Sequence, residues 1–298
     1  MGRILLFLTL LLVPVVASAT TPTADVIYIN GQEWWLMARP LNRIDSTHYA
    51  DFYSRLPEER AVSTANWGGY TCYWSLDGEW LVLDSVVYEV SYRVRMKVYN
   101  SDIDSMWAPK ERYLTLPQTI LLETLKDYCR DGKIVATWFT DTVRAVQGEL
   151  VYDDLSGGWG RYFDTEMVLE LKEGRVAKQT LYHNRVLVDG LDFNSGQAEQ
   201  WQEFQSGFLP VLRKYSELDS ERVVVFRLWD GVMDSVGDLH DIQVVVGYPE
   251  IEGELSNKLE QEFKQYLMNI RPWKVYFING ELVNTLKIGA LIPFYLKR

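Results

Sequence analysis

Residues 252–283 read EGELSNKLEQEFKQYLMNIRPWKVYFINGELV, and this stretch decides how the C-terminal third is built. Leu255, Leu259, Phe263, Tyr266, Leu267 and Ile270 recur at three- and four-residue spacing, so residues 252–269 are expected as a helix with one apolar face. Arg271-Pro272 ends it, and Trp273 follows. The apolar run then meets Asn279-Gly280, a pair suited to a tight hairpin turn because both residues tolerate positive φ. Upstream lie two apolar strands, 223–229 and 241–246, with Gly237 at the turn between them. Downstream the chain closes with Leu291-Ile292-Pro293-Phe294-Tyr295-Leu296. The order strand, strand, helix, strand predicts an α+β layer in which a helix covers a small sheet.

This ordered set resembles the TonB C-terminal domain family over residues 210–297. The resemblance is carried by strand 223–228, the Gly237 turn, strand 241–246, Trp273, Asn279-Gly280 with Val283, and Ile292-Pro293-Phe294. It implies that Trp273 packs helix against sheet and that Asn279-Gly280 starts the last hairpin. It also implies a module that pairs with a peptide strand at a sheet edge, as family members do with the TonB box of outer-membrane receptors. Energy-transducing members keep an N-terminal membrane anchor and a long Pro-rich spacer. This chain shows a cleavable signal and no such spacer, so the expectation is a soluble exported protein with a TonB-C-like module.

The signal is read from the first residues. Arg3, the apolar run 4–16 and Ala17-Ser18-Ala19 are the three parts of a secretory signal peptide, with cleavage expected after Ala19. The run is shorter than the ~20 residues of a membrane span. Residues 20–195 are expected as a β-rich domain with two short helices, and 196–298 as the TonB-C-like domain. The boundary is placed in the Gly-, Asp-, Asn- and Ser-rich segment 189–196. Within the first domain, Asn30-Gly31 and Asp77-Gly78 mark hairpins. Ser46 is expected to cap a helix with Tyr49, Phe52, Tyr53 and Leu56 on one face. A second helix is expected over 116–129, opened by Thr115, Pro117 and Gln118. In the second domain Trp201, Phe204, Phe208, Leu212 and Tyr215 share a helical face, which Pro210 should kink or divide.

The whole chain has 298 residues, 47% hydrophobic and 24% charged, a globular composition. With 41 acidic against 30 basic residues its formal charge is −11, a poor match for nucleic acid or anionic lipid. Cys72 and Cys129 are its only cysteines. Both fall on expected inward faces, Cys72 with Tyr70 and Trp74, Cys129 with Leu121, Leu125 and Tyr128. In an exported chain they form a disulfide or stay as two buried thiols.

Catalytic spacing is not found. His48, His183 and His240 stand in no metal-ligand pattern, and no nucleophile elbow, P-loop or dinucleotide fingerprint occurs. The Gly-rich residues 156–160 read as a hairpin loop, and Asp102, Asp104, Asp153 and Asp154 as solvated turns. No catalytic residue, cofactor or metal is therefore assigned. The unusual feature is aromatic content: 11 Trp, 18 Tyr and 11 Phe. In a β-rich domain these fill the core, or some form a platform on which sugars or peptides stack. Trp35, Trp67 and Tyr70 are the platform candidates. Two functions are expected from this reading. One is a non-enzymatic cell-envelope protein, periplasmic or secreted, that contacts other envelope proteins through the edge strand at 287–295. The other is a secreted carbohydrate- or peptidoglycan-binding or -hydrolysing protein using the aromatic-rich domain.

Overall fold

The computed structural model describes residues 22–96, 106–116, 118–154, 158–192, 198–218, 221–284, 286 and 290–296. The expected signal peptide, Asp102, Asp104 and Lys287 lie outside the described residues. The fold is α+β, dominated by strands, with four α-helices among the described residues. Among them no helix is long and apolar enough to cross a membrane.

The N-terminal unit begins with the hairpin β1 (Asp25–Ile29) and β2 (Gln32–Leu36). Asn30 and Gly31 both take positive φ, 53° and 76°, the two-residue turn whose twist matches the strands. There follow α1 (Ser46–Ser54), β3 (Tyr70–Asp77), β4 (Trp80–Met96), β5 (Met106–Thr115) and α2 (Gln118–Thr124). The short strands β6 (Cys129–Arg130) and β7 (Lys133–Val135) lead to the long β8 (Asp141–Asp153), β9 (Arg161–Lys172) and β10 (Arg175–His183). The sheet order is β10-β9-β8-β2-β1-β3-β4-β7-β6, and β10 returns to β4 at Arg175 opposite Trp80. The pairings through β4, β3, β1, β2, β8, β9 and β10 thus close into a barrel. Its interior is packed with Ile27, Leu36, Trp74, Leu83, Ala145 and Leu169, so it is a core and not a pore.

Two expectations are corrected here, and the open choice at the cysteines is decided. Asp45, not Ser46, caps α1; its carboxylate accepts from the Thr47 and His48 amides at 3.1 Å each. The helix expected over 116–129 is shorter: a 3₁₀ turn at Lys126–Tyr128 follows α2, and Cys129 is extended. Asp131 and Gly132, at φ 49° and 78°, turn the chain into the β6–β7 hairpin, and that turn outcompetes helix extension. Of the two alternatives for the cysteines, the bridged one is not formed. Cys72 sits on β3 and Cys129 on β6, three strand-to-strand steps apart across β4 and β7. That is roughly 14 Å at ~4.8 Å per step, against the ~7 Å limit for bridged Cα atoms. Both are free thiols.

Among the described residues the C-terminal unit has two three-stranded sheets. One is β11 (Arg185–Val188), β14 (Val275–Ile278) and β15 (Glu281–Val283), with β14 central. The other orders β13 (Leu239–Tyr248), β12 (Val223–Met233) and β16 (Ala290–Tyr295), with β12 central. Strand β11, expected in the first domain, pairs with β14, so the sheets change over at Asn184, ahead of segment 189–196. Helices α3 (Ala198–Leu212) and α4 (Glu254–Asn269) cover this unit. Pro210 does not divide α3; it lies in the last turn, so the bond its missing N–H denies the residue 206 carbonyl falls at the helix end and leaves the turns before it unbroken. Phe204, Phe208, Phe226, Phe263 and Phe294 form the aromatic centre of a core separate from that of the barrel.

The residues that carried the resemblance are placed as follows. Trp273 is fully buried beneath α4, and its indole N–H donates to the Leu267 carbonyl at 3.2 Å. Gly237, at φ 83°, accepts from the Trp273 amide at 2.9 Å. A Cβ on Gly237 would stand 2.5 Å from the Trp273 carbonyl oxygen, so this approach needs glycine. Asn279 and Gly280, at φ 52° and 87°, turn β14 into β15. Pro293 lies in β16 opposite Val225.

Candidate functional site

A cleft of about 700 Å³ opens on the N-terminal unit. That volume is typical of small-molecule sites. Its walls include Arg39, Asn42 and Arg43 from the segment after β2, Tyr49 and Tyr53 from α1, Trp67, and Asp141 and Thr142 at the start of β8. Trp159 completes it. The spacing of Tyr49 and Tyr53, one helical turn apart, stacks their rings at 5.8 Å. The Arg60 guanidinium caps the Tyr53 ring at 4.5 Å.

The three aromatic candidates separate. Trp67 is 76% exposed and lines the cleft. Trp35 is 47% exposed on β2, packs edge-on against Phe163 at 5.5 Å, and is not among the lining residues. Tyr70 is not a platform at all: strand parity turns it inward, to 1% exposure. Its hydroxyl donates to Asn42 at 2.7 Å, so it supports the cleft wall from behind. Arg39, Tyr49, Tyr53 and Trp159 were missed as site residues. Tyr49 and Tyr53 carried a signal, because an aromatic pair on one helical turn makes a face of rings.

Behind the cleft lies a buried carboxylate. Asp25 accepts from the Cys72 amide at 3.1 Å and the Trp74 indole at 3.0 Å, and Arg39 Nε stands 3.7 Å away. Burial raises its pKa to about 6, against the opposing pull of Arg39 and the two donors. Arg39 also donates to Asn66 at 3.0 Å and to the Tyr70 carbonyl, which fixes it in the wall. The other ionic neighbour, Arg43 to Asp141 at 3.9 Å, is largely exposed and weak. The cleft therefore offers rings with polar donors and acceptors between them.

Two of the histidines make local ion pairs. His48 joins Asp45 at 2.6 Å and Asp127 at 3.1 Å, which raises its pKa, and His240 meets Asp234 at 2.8 Å. In the C-terminal unit, helix side chains hold both outer strands of the β12-centred sheet. Gln205 of α3 donates to the Pro293 carbonyl at 2.6 Å, and the Val246 amide donates to Glu260 of α4 at 3.1 Å. Pro293 itself brings no N–H to that edge. A peptide adding to β16 would have to displace Gln205. No protein-family model, curated protein or solved structure matches the chain.

Proposed function

We propose that this chain is a binding protein of the cell envelope whose N-terminal barrel takes a carbohydrate-class ligand in the Trp67 cleft. The observation that carries the reading is Trp67 itself, a large ring left in solvent at a concave site beside Tyr49, Tyr53, Asn42 and Arg43. Sugar rings stack on such faces, and their hydroxyls take bonds from amide and guanidinium groups placed between the rings. Binding is favoured over hydrolysis by the lining. Glycoside hydrolysis uses two carboxyl groups across the scissile bond, and Asp141 is the one carboxylate among the described lining residues. The test is titration of the protein with glycans and peptidoglycan fragments, followed by Trp emission. A saturable change lost in Trp67→Ala supports the reading, and a flat titration overturns it.

A second reading, recognition of envelope proteins through a TonB-C-like C-terminal unit, is favoured by Leu291 and Tyr295. They leave apolar surface exposed on β16, where a partner could lie over the strand without adding to its edge. Capture of the same partner from envelope extract by the wild type and by Leu291→Glu would exclude that face.

A further inference from the structure

The Trp67 cleft carries charge opposite to that of the chain. In a protein of formal charge −11, the described lining holds two arginines, Arg39 and Arg43, against one carboxylate, Asp141. That carboxylate is already engaged: one oxygen accepts from the Thr142 amide at 2.8 Å, and the other faces Arg43 at 3.9 Å. The Asn42 carbonyl oxygen accepts from the Tyr70 hydroxyl at 2.7 Å, which leaves the NH2 group of that side chain to the cleft. Arg39 is held in place. Its Nη2 donates to Asn66 at 3.0 Å and to the Tyr70 carbonyl, and its guanidinium stands over the Tyr70 ring at 5.1 Å. Its Nε is sealed, 3.7 Å from Asp25. Its Nη1 is neither bonded to a described residue nor sealed, and the side chain keeps 12% exposure. The open polar groups of the cleft are thus mainly donors, and the one fixed by its neighbours is a cation.

We propose, resting on the reading of this cleft as a sugar site, that its ligand is an acidic sugar whose carboxylate is held by Arg39, with Arg43 adding charge from the exposed rim. A sugar ring stacks on Trp67, its hydroxyls take the Asn42 NH2 group, and its carboxylate takes the N–H groups of Arg39 Nη1. The lining has one surplus positive charge, which a carboxylate matches; a phosphate, with nearly two negative charges at neutral pH, would keep one unpaired. Arg39 also ties the site to pH. The titratable groups around it are Asp25 on β1, Tyr70 and Cys72 on β3, and Tyr49 on α1. Burial keeps the Tyr70 phenol and the Cys72 thiol protonated, which leaves Asp25 to change charge near pH 6. His48 is turned to Asp45 and Asp127 and is not among the lining residues. Below pH 6 a protonated Asp25 leaves Arg39 unopposed, and the acidic sugar binds best. Above it the ionised Asp25 competes for the same guanidinium, and binding weakens.

The test is calorimetric titration of the full chain with N-acetylglucosaminyl-N-acetylmuramic acid, with diacetylchitobiose, which lacks the lactyl carboxylate, with trigalacturonic acid and with sodium lactate. Each is run at about pH 5.5 and about pH 7.5, where all these carboxylates are ionised. At the lower pH one acidic sugar should bind at least about tenfold more tightly than diacetylchitobiose, and whichever binds identifies the source. Its affinity should fall at least about threefold at the higher pH. Asp25→Asn should abolish that fall and keep the tighter binding. Arg39→Gln should remove the preference for the acidic sugar. Arg43→Gln, at a largely exposed position that leaves folding intact, should narrow the preference several-fold. Diacetylchitobiose binding as tightly as both acidic sugars would overturn the proposal and leave the sugar reading standing. Lactate binding as tightly as the sugars, a preference unchanged in Arg43→Gln, or a pH dependence unchanged in Asp25→Asn would also overturn it. No heat from any sugar at either pH would overturn both.

Discussion

Replacing Asp25 with asparagine tests the buried network behind the cleft, because the carboxamide imitates the protonated acid. Asp25 is fully buried, and its pKa rises from 3.8 to about 6, chiefly through desolvation. The folded protein therefore holds this proton more tightly than the unfolded chain. Stability from that source is complete below pH 3.8 and is lost as pH rises through 6. The gap is worth about 3 kcal/mol, of which about 2 kcal/mol falls between pH 4.5 and 7.5. Urea unfolding followed by Trp emission should show Asp25→Asn gaining about 2 kcal/mol on the wild type between those two pH values. The comparison of variant with wild type cancels the other titrating groups. If Asp25 is instead an ionised partner of Arg39, the variant loses about 3–5 kcal/mol at pH 7.5 and shows no such gain. That result would refute the desolvation account.

Other outcomes follow from the packing. Trp67→Ala should change stability by less than about 0.5 kcal/mol, since the ring is mostly in solvent, whereas Trp273→Ala should cost about 3–5 kcal/mol in the same unfolding assay. Gly237→Ala should destabilise by about 1–3 kcal/mol, because alanine must hold φ near 83° against the Trp273 carbonyl. Thiol titration of the purified, denatured and unreduced protein should find two free cysteines; finding none would reverse the assignment of Cys72 and Cys129 as unbridged. The His48 proton should be held above the ordinary histidine value, so the tie between α1 and Asp127 strengthens below that value and is lost as pH rises through the elevated one. An NMR titration of the His48 ring reads this directly, and an unshifted midpoint would count against it.

What could be read in the chain was mainly local chemistry. Asn30-Gly31 and Asn279-Gly280 announced their turns because positive φ is a property of the dipeptide itself. The face of α4 was legible because its period needs no partner. Long-range pairing was not legible. The parallel contact of β1 with β3 and the return of β10 to β4 at Trp80 join segments whose sequences say nothing of each other. Those pairings set the distance between Cys72 and Cys129, so the disulfide could not be judged from the chain. The cleft divided in the same way. Trp67 could be placed in solvent because Gly68 and Gly69 mark a loop, while Tyr70 began the next strand and its parity took it inside. Tyr49 and Tyr53 were readable as an apolar helix face, but only the packing of α1 beside Arg39 shows them bordering an opening.

The most direct test of the binding reading is a parallel titration of wild type and Trp67→Ala with a panel of glycans and peptidoglycan fragments, read by Trp emission. The account expects at least one fragment to give a saturable change in the wild type and none in the variant, with both proteins equally folded. Identical titrations of the two proteins, or no response from the wild type across the panel, would contradict it.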